Sequence, residues 1–241
     1  MILKKQAYPF KIQPQFVDFQ FHVTMASLGD ILLTAAGLNA DDNGFGLRRL
    51  RELDCSWVLS RMAIEMKRFP EQYEKIQVET WIEDVGRAST TRNFCIRNEQ
   101  NEIIGSACSI WVMLDMKTRR AKDLMTLDGI HEFASGDAGL IEKPIRLGPV
   151  TGDVQNSFKV KYSDIDINGH TNSVRYIEWI SDCFSLDKYR EKQVKRFEIN
   201  YMNEVLFDDK VEIFGEEQEP NDFRFEIRKE DNVSCRARVV F

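Results

Sequence analysis

The sequence predicts an α+β protein built from two copies of one unit, each a curved antiparallel sheet wrapped around a helix. Three observations lead there. Phe21-His22-Val23-Thr24-Met25-Ala26 resembles Phe158-Lys159-Val160-Lys161-Tyr162-Ser163, and each is followed by a stretch with helical spacing of apolar residues. Lys75-Ile76-Gln77-Val78 likewise resembles Lys210-Val211-Glu212-Ile213. Each copy then closes in runs with strand character, 89–98 and 103–115 in the first and 221–229 and 233–241 in the second.

Taken in chain order, Leu28, Ile31, Leu32 and Ala35 mark the first helix, which Gly37 is expected to end. A strand follows over 57–66. The segment 121–150, with Gly136, Gly139, Pro144, Gly148 and Pro149, reads as a linker, which divides the chain into 1–120, 121–150 and 151–241. In the second copy SFKVKY (157–162) alternates like a strand, and Val174, Ile177, Ile180 and Phe184 predict a helix over 171–186.

Composition narrows the function. A chain of 241 residues, 43% hydrophobic and 30% charged, is globular rather than disordered. No apolar run approaches the roughly 18–20 residues of a membrane-spanning helix. The start, MILKKQAYPFKIQPQF, lacks an apolar signal core, so a cytoplasmic location is expected. Five scattered cysteines without a CxxC pair argue against a disulfide framework or a zinc site. A net charge of −6 argues against general nucleic-acid binding.

The chemistry concentrates in Asp164-Ile165-Asp166-Ile167-Asn168-Gly169-His170, just ahead of the second helix. Unpaired N–H groups at a helix start suit a developing anion. The acidic spacing also suggests a calcium loop, but the closing bidentate Glu of such a loop falls on Arg175. Asp164 reads as a capping or turn residue. Aligned without gaps, the first copy places Gly29, Ile31 and Leu33 opposite Asp166, Asn168 and His170, and Phe69 opposite Glu204. That predicts a division of labour, with chemistry in the second copy and an apolar ligand held by the first.

Residues 164–179 (DIDINGHTNSVRYIEW) resemble the second hotdog domain of plant and bacterial acyl–acyl-carrier-protein (ACP) thioesterases. Gly44-Phe45-Gly46, Trp57-Val58-Leu59-Ser60-Arg61-Met62, Arg68-Phe69-Pro70, Val78-Glu79-Thr80-Trp81 and Ser109-Ile110-Trp111-Val112-Met113 are similar to the first. The resemblance runs from about residue 19 nearly to the end. It implies a tandem double-hotdog fold, hydrolysis of fatty acyl thioesters on ACP, and neither metal nor organic cofactor. The family's catalytic Asp, Asn, His and Glu fall on Asp166, Asn168, His170 and Glu204. Many relatives carry a Cys after that Glu, where this chain has Val205.

In that reading Glu204, beside a low-polarity pocket, activates water directly or through His170. Asn168 donates to the oxyanion, Asp166 orients its neighbours, and His170 polarises water or protonates the thiolate. The first copy is expected to wall an acyl tunnel with Leu32, Leu33, Val58, Met62, Ile64 and Met66. Two basic clusters offer a dock for an acidic carrier protein: Lys117, Arg119, Arg120 and Lys122, and the run from Lys188 to Arg196. The second is nearer in sequence to the catalytic residues, so Arg190, Lys192 and Lys195 are the expected dock. A homodimer is expected from the habit of soluble enzymes. The rival functions are an acyl-CoA thioesterase and an acyl-binding sensor without turnover.

Overall fold

A computed structural model describes residues 2–127 and 129–241. The first half runs β1 (Lys5–Lys11), α1 (Met25–Asp42), α2 (Leu47–Glu52), β2 (Cys55–Met66), β3 (Lys75–Val85), β4 (Thr90–Arg97) and β5 (Ile103–Asp115). The second runs β6 (Asp153–Lys159), α3 (Ser173–Ser181), α4 (Leu186–Glu191), β7 (Arg196–Tyr201), β8 (Lys210–Glu219), β9 (Asp222–Lys229) and β10 (Asn232–Val240). All ten strands form one sheet, in the order β1-β3-β4-β5-β2-β7-β10-β9-β8-β6. The order is a mirror repeat about the antiparallel β2–β7 pair, where Arg61, Met62, Ala63, Ile64 and Glu65 face Asn200, Ile199, Glu198, Phe197 and Arg196. This is the expected double-hotdog arrangement.

Alternation along β7 sorts its side chains by face. Phe197 and Ile199 enter a core shared by both halves, with Leu28, Leu32, Val174 and Ile177 from the helices. α1 and α3 touch there, since a Cβ on Gly29 would lie 3.0 Å from Ile177 Cδ1. On the opposite face Glu198 Oε1 accepts from Ile145 N at 2.5 Å and Asn200 Oδ1 from Leu147 N at 2.9 Å. Trp81 Nε1 donates to Asp137 O at 2.8 Å and Arg236 Nη1 to Leu147 O at 3.1 Å. Residues 137–150 thus cross the outer face of both half-sheets and supply backbone partners to its polar side chains. Coverage on both faces explains why β4 is buried almost throughout instead of alternating.

Several boundaries differ from the sequence reading. The second helix is two short ones, because Ser185 caps a new start by accepting from Lys188 N. α1 continues through Gly37 to Asp42, since a Cβ at Gly37 would point into open space. The run 21–26 is not a strand: 21–24 form the loop into α1, and Met25 and Ala26 begin the helix. Its counterpart is therefore the loop into α3: Thr24 and Asn172 both cap their helices through side-chain oxygens. Anchored there, Asp18, Gln20 and His22 stand opposite Asp166, Asn168 and His170, and the gapless pairing with Gly29, Ile31 and Leu33 is replaced.

Because the halves share a sheet and a core, they should unfold together. Ile199→Ala, at a position 1% exposed, should cost about 2–5 kcal/mol. Scanning calorimetry should show one transition at lower temperature, and two separated transitions would show that the halves are independent.

Candidate active site

The loop 164–171 is shaped by its own side chains. Asp166 Oδ1 accepts from Asn168 N at 2.8 Å and His170 N at 3.2 Å, while Asp166 N donates to His170 O at 2.8 Å. Gly169 turns the chain at φ +82°. Thr171 then ties the loop to the neighbouring strand end, donating through N and Oγ1 to Val205 O, both at 2.9 Å. That tie brings Glu204 to the loop. Asp164 Oδ2 accepts from Lys161 N at 2.7 Å, the capping role its position suggests.

His170 Nε2 lies 3.3 Å from Glu204 Oε2. The other partner of Glu204 comes from the first half: Arg119 Nη2 donates to Oε1 at 2.6 Å and Oε2 at 2.5 Å. Arg119 sits at φ +57° in the turn after β5, where Asp115 Oδ1 accepts from Lys117 N and Thr118 N. The Glu204 side chain is 42% exposed, so it lies at the mouth of the cavity rather than in the low-polarity pocket the sequence reading assumed.

The four residues Asp166, Asn168, His170 and Glu204 line one cavity of about 540 Å³. The first half contributes an apolar stretch of the lining, Val58, Leu59, Trp111 and Leu114, together with Ser56 and Arg119. Buried Tyr176 and the Tyr201 ring stack edge to face at 5.6 Å beneath it, and Tyr201 Oη donates to Ser173 O at 2.8 Å. Burial pushes both phenols well above their ordinary range, so they stay neutral and structural.

Of the six residues expected on a tunnel wall, Val58 is on this cavity. Leu32, Met62, Ile64 and Met66 are buried in the shared core, and Leu33 packs against it. Arg190, Lys192 and Lys195 are exposed beyond the opposite end of α3, a helix roughly 14 Å long. Arg190 is paired with Asp187 at 2.5 Å, and Lys192 borders a second cavity. Arg119 is the site residue that sequence reasoning did not place. It belonged to a basic cluster set aside for its distance along the chain, and only the β2–β7 seam brings it to Glu204.

Among the described residues no group of three or more His, Cys, Asp or Glu is arranged to hold a metal ion, and no helix is long and apolar enough to cross a membrane.

Two domain profiles match the chain: the acyl-ACP thioesterase N-terminal domain over residues 4–129 and its C-terminal domain over residues 149–241. An acyl-ACP thioesterase from Bacteroides thetaiotaomicron is 40% identical, with a TM-score of 0.92 over 99% of this chain and 98% of that one. A 12:0-ACP thioesterase from Umbellularia californica shares the fold, with a TM-score of 0.79 at 21% identity over 98% and 96% of the two chains. A palmitoyl-acyl carrier protein thioesterase from Gossypium hirsutum is 31% identical over 70% of this chain and 43% of its own length. An oleoyl-acyl carrier protein thioesterase from Coriandrum sativum is 25% identical over 78% and 56%. The chain spans about half the length of these curated relatives.

No cysteine borders the cavity. Cys55, Cys95, Cys108 and Cys235 are buried and Cys183 is half-buried. Burial pushes the Cys183 thiol up to about 11 and that of Cys108 to about 12. Native protein should therefore react slowly with a disulfide reagent, with all five thiols appearing only on unfolding. A single thiol that reacts fast and stoichiometrically in the folded chain would contradict this.

Proposed function

This chain belongs to the acyl-ACP thioesterase family, and on that premise we propose that it hydrolyses a fatty acyl thioester of acyl carrier protein. The products are the free fatty acid and the carrier's thiol. The observation that supports this most is the meeting of Glu204 with His170 at 3.3 Å, beside Asn168, on a cavity with an apolar stretch of lining.

In this reading the thioester carbonyl sits at the start of α3 and its acyl chain lies along Val58, Leu59, Trp111 and Leu114. Glu204, with His170, takes a proton from water as the water oxygen attacks the carbonyl carbon. Charge builds on the carbonyl oxygen, where the Asn168 side chain donates to it. The carbon–sulfur bond then breaks, and the sulfur leaves with the proton returned through His170. Asp166 holds the backbone of Asn168 and His170 in place, and Arg119 fixes both oxygens of Glu204 so that its approach to His170 is not lost to rotation. Val205 leaves no thiol beside Glu204, so no covalent cysteine step enters.

Asp166→Ala, Asn168→Ala, His170→Ala and Glu204→Gln should each lower thiol release by about a hundredfold or more with the fold intact. Arg119→Ala should lower kcat by about tenfold, with partial recovery in Arg119→Lys, because it removes positioning rather than a reacting group. Glu204→Gln at near wild-type rate would remove Glu204 from the mechanism. Assays on ACP-bound and CoA-bound forms of one acyl chain separate the two carriers.

For the carrier we propose the basic surface beside this cavity. Lys117 and Arg120 are exposed on the turn that carries Arg119 into the cavity lining, and exposed Arg51, in α2, is joined to that turn through Asp54, whose N donates to Arg51 O and whose carboxylate lies 2.5 Å from Lys117 Nζ. Such a patch steers an acidic partner even on a chain of net charge −6. Charge reversal at Arg51, Lys117 and Arg120 should raise KM for ACP-bound substrate at low salt and spare a small acyl-thioester analogue. Reversal at Arg190, Lys192 and Lys195 should do less, and the opposite ranking would move the dock to the far end of α3.

A further inference from the structure

The loop of the first half repeats the catalytic loop bond for bond. Asp18 Oδ1 accepts from Gln20 N at 2.8 Å and His22 N at 3.1 Å, as Asp166 does from Asn168 N and His170 N. Asp18 N donates to His22 O at 2.8 Å. Phe21 holds the left-handed turn at φ +64° where the second half uses Gly169. Val23 N donates to Pro70 O at 2.9 Å, as Thr171 N does to Val205 O, which sets Phe69 opposite Glu204. Asp-x-Gln-x-His therefore stands where the other half has Asp-x-Asn-x-His, with an aromatic ring in place of the carboxylate.

This loop opens on a cavity of its own, about 350 Å³, bordered by Gln20, His22 and Phe69 and closed from the other half by Leu186, Tyr189 and Val194. We propose that this cavity is a second site for a fatty acyl thioester, which it binds without hydrolysing. The proposal rests on the function proposed above. Gln20 offers a carboxamide and His22 an imidazole to a carbonyl oxygen, and the aromatic and aliphatic walls suit an alkyl chain. Asp18, Glu178 and Asp182 border the cavity against Lys192, so an uncharged thioester fits better than a fatty acid carboxylate. Turnover fails because Phe69 gives His22 no partner of the kind Glu204 gives His170. Of the carboxylates present, Asp18 is bonded to the loop's own N–H groups and Glu178 to Arg175.

The test titrates the full chain with a pantetheine thioether whose inserted methylene separates sulfur from the acyl carbonyl, so that it cannot be hydrolysed. Calorimetry should find two equivalents bound per chain. Gln20→Ala with His22→Ala should abolish one, and Asn168→Ala with His170→Ala the other, each variant being checked for an unchanged melting temperature. One equivalent in the wild type, lost with Asn168 and His170 and indifferent to Gln20 and His22, overturns the second site. Thiol release that persists in Glu204→Gln and disappears on adding His22→Ala overturns its silence. Normal hydrolysis with one equivalent defeats this proposal alone, whereas two equivalents without any hydrolysis defeat the proposed function alone.

Discussion

The pairing of β2 with β7 is the constraint on which the rest depends. It joins two half-sheets through the twelve-residue β2 and the six-residue β7, and five successive residues of each strand face one another there. Main-chain pairing of two interior strands leaves no edge at the seam. It also sets the side-chain register, with Met62, Ile64, Phe197 and Ile199 entering the core and Glu198 and Asn200 reaching the outer face. Arg196 reinforces the seam by pairing with both Glu65 and Glu198. A slip of one residue would turn these apolar side chains outward and bury the carboxylate among them.

From that seam comes the unequal use of two equal loops. Both halves build the same turn, and both turns are held to the next strand by one main-chain bond. The difference most relevant to the proposed chemistry is Glu204 against Phe69, together with what the opposite half brings to it. At Glu204 the first half supplies Arg119. At the other cavity the second half supplies acidic Glu178 and Asp182 and the cation Lys192. In the proposed scheme the duplicated geometry sets where a carbonyl can be held, and the presence of Glu204 or Phe69 decides whether water is activated there.

Much of this was legible in the sequence. The repeat of strand, helix and strands was visible because both copies keep the same apolar spacing, and the runs 103–115 and 221–229 lie within a residue of β5 and β9. Asp166, Asn168 and His170 stood out by residue type and by resemblance, and Glu204 by resemblance alone. The register of the repeat was not legible, because α1 has 18 residues and α3 nine, and a gapless comparison anchors on whichever apolar run looks most alike. That error hid Asp18, Gln20 and His22 in plain view. The cavity wall was misread for a related reason. Apolar residues on a two-faced sheet carry no mark of which face meets solvent, so Met62 and Ile64 could not be told from Val58 by composition. Arg119 was invisible as a site residue because 85 positions separate it from Glu204.

The Arg119–Glu204 contact also makes the two halves inseparable in chemistry as well as in folding. Each ion lies near the surface, 44% and 42% exposed, where an isolated pair adds little stability. Its value is therefore geometric. One guanidinium nitrogen reaching both oxygens holds the carboxylate in a single orientation toward His170, whereas water alone would leave it free to turn. The turn that carries Arg119 is positioned by β5, β5 by its pairing with β2, and β2 by the seam with β7. β7 in turn leads directly to Glu204. The carboxylate thus follows a strand of the seam and its anchor follows the strand paired next to the seam, so the β2–β7 register fixes where the two can meet.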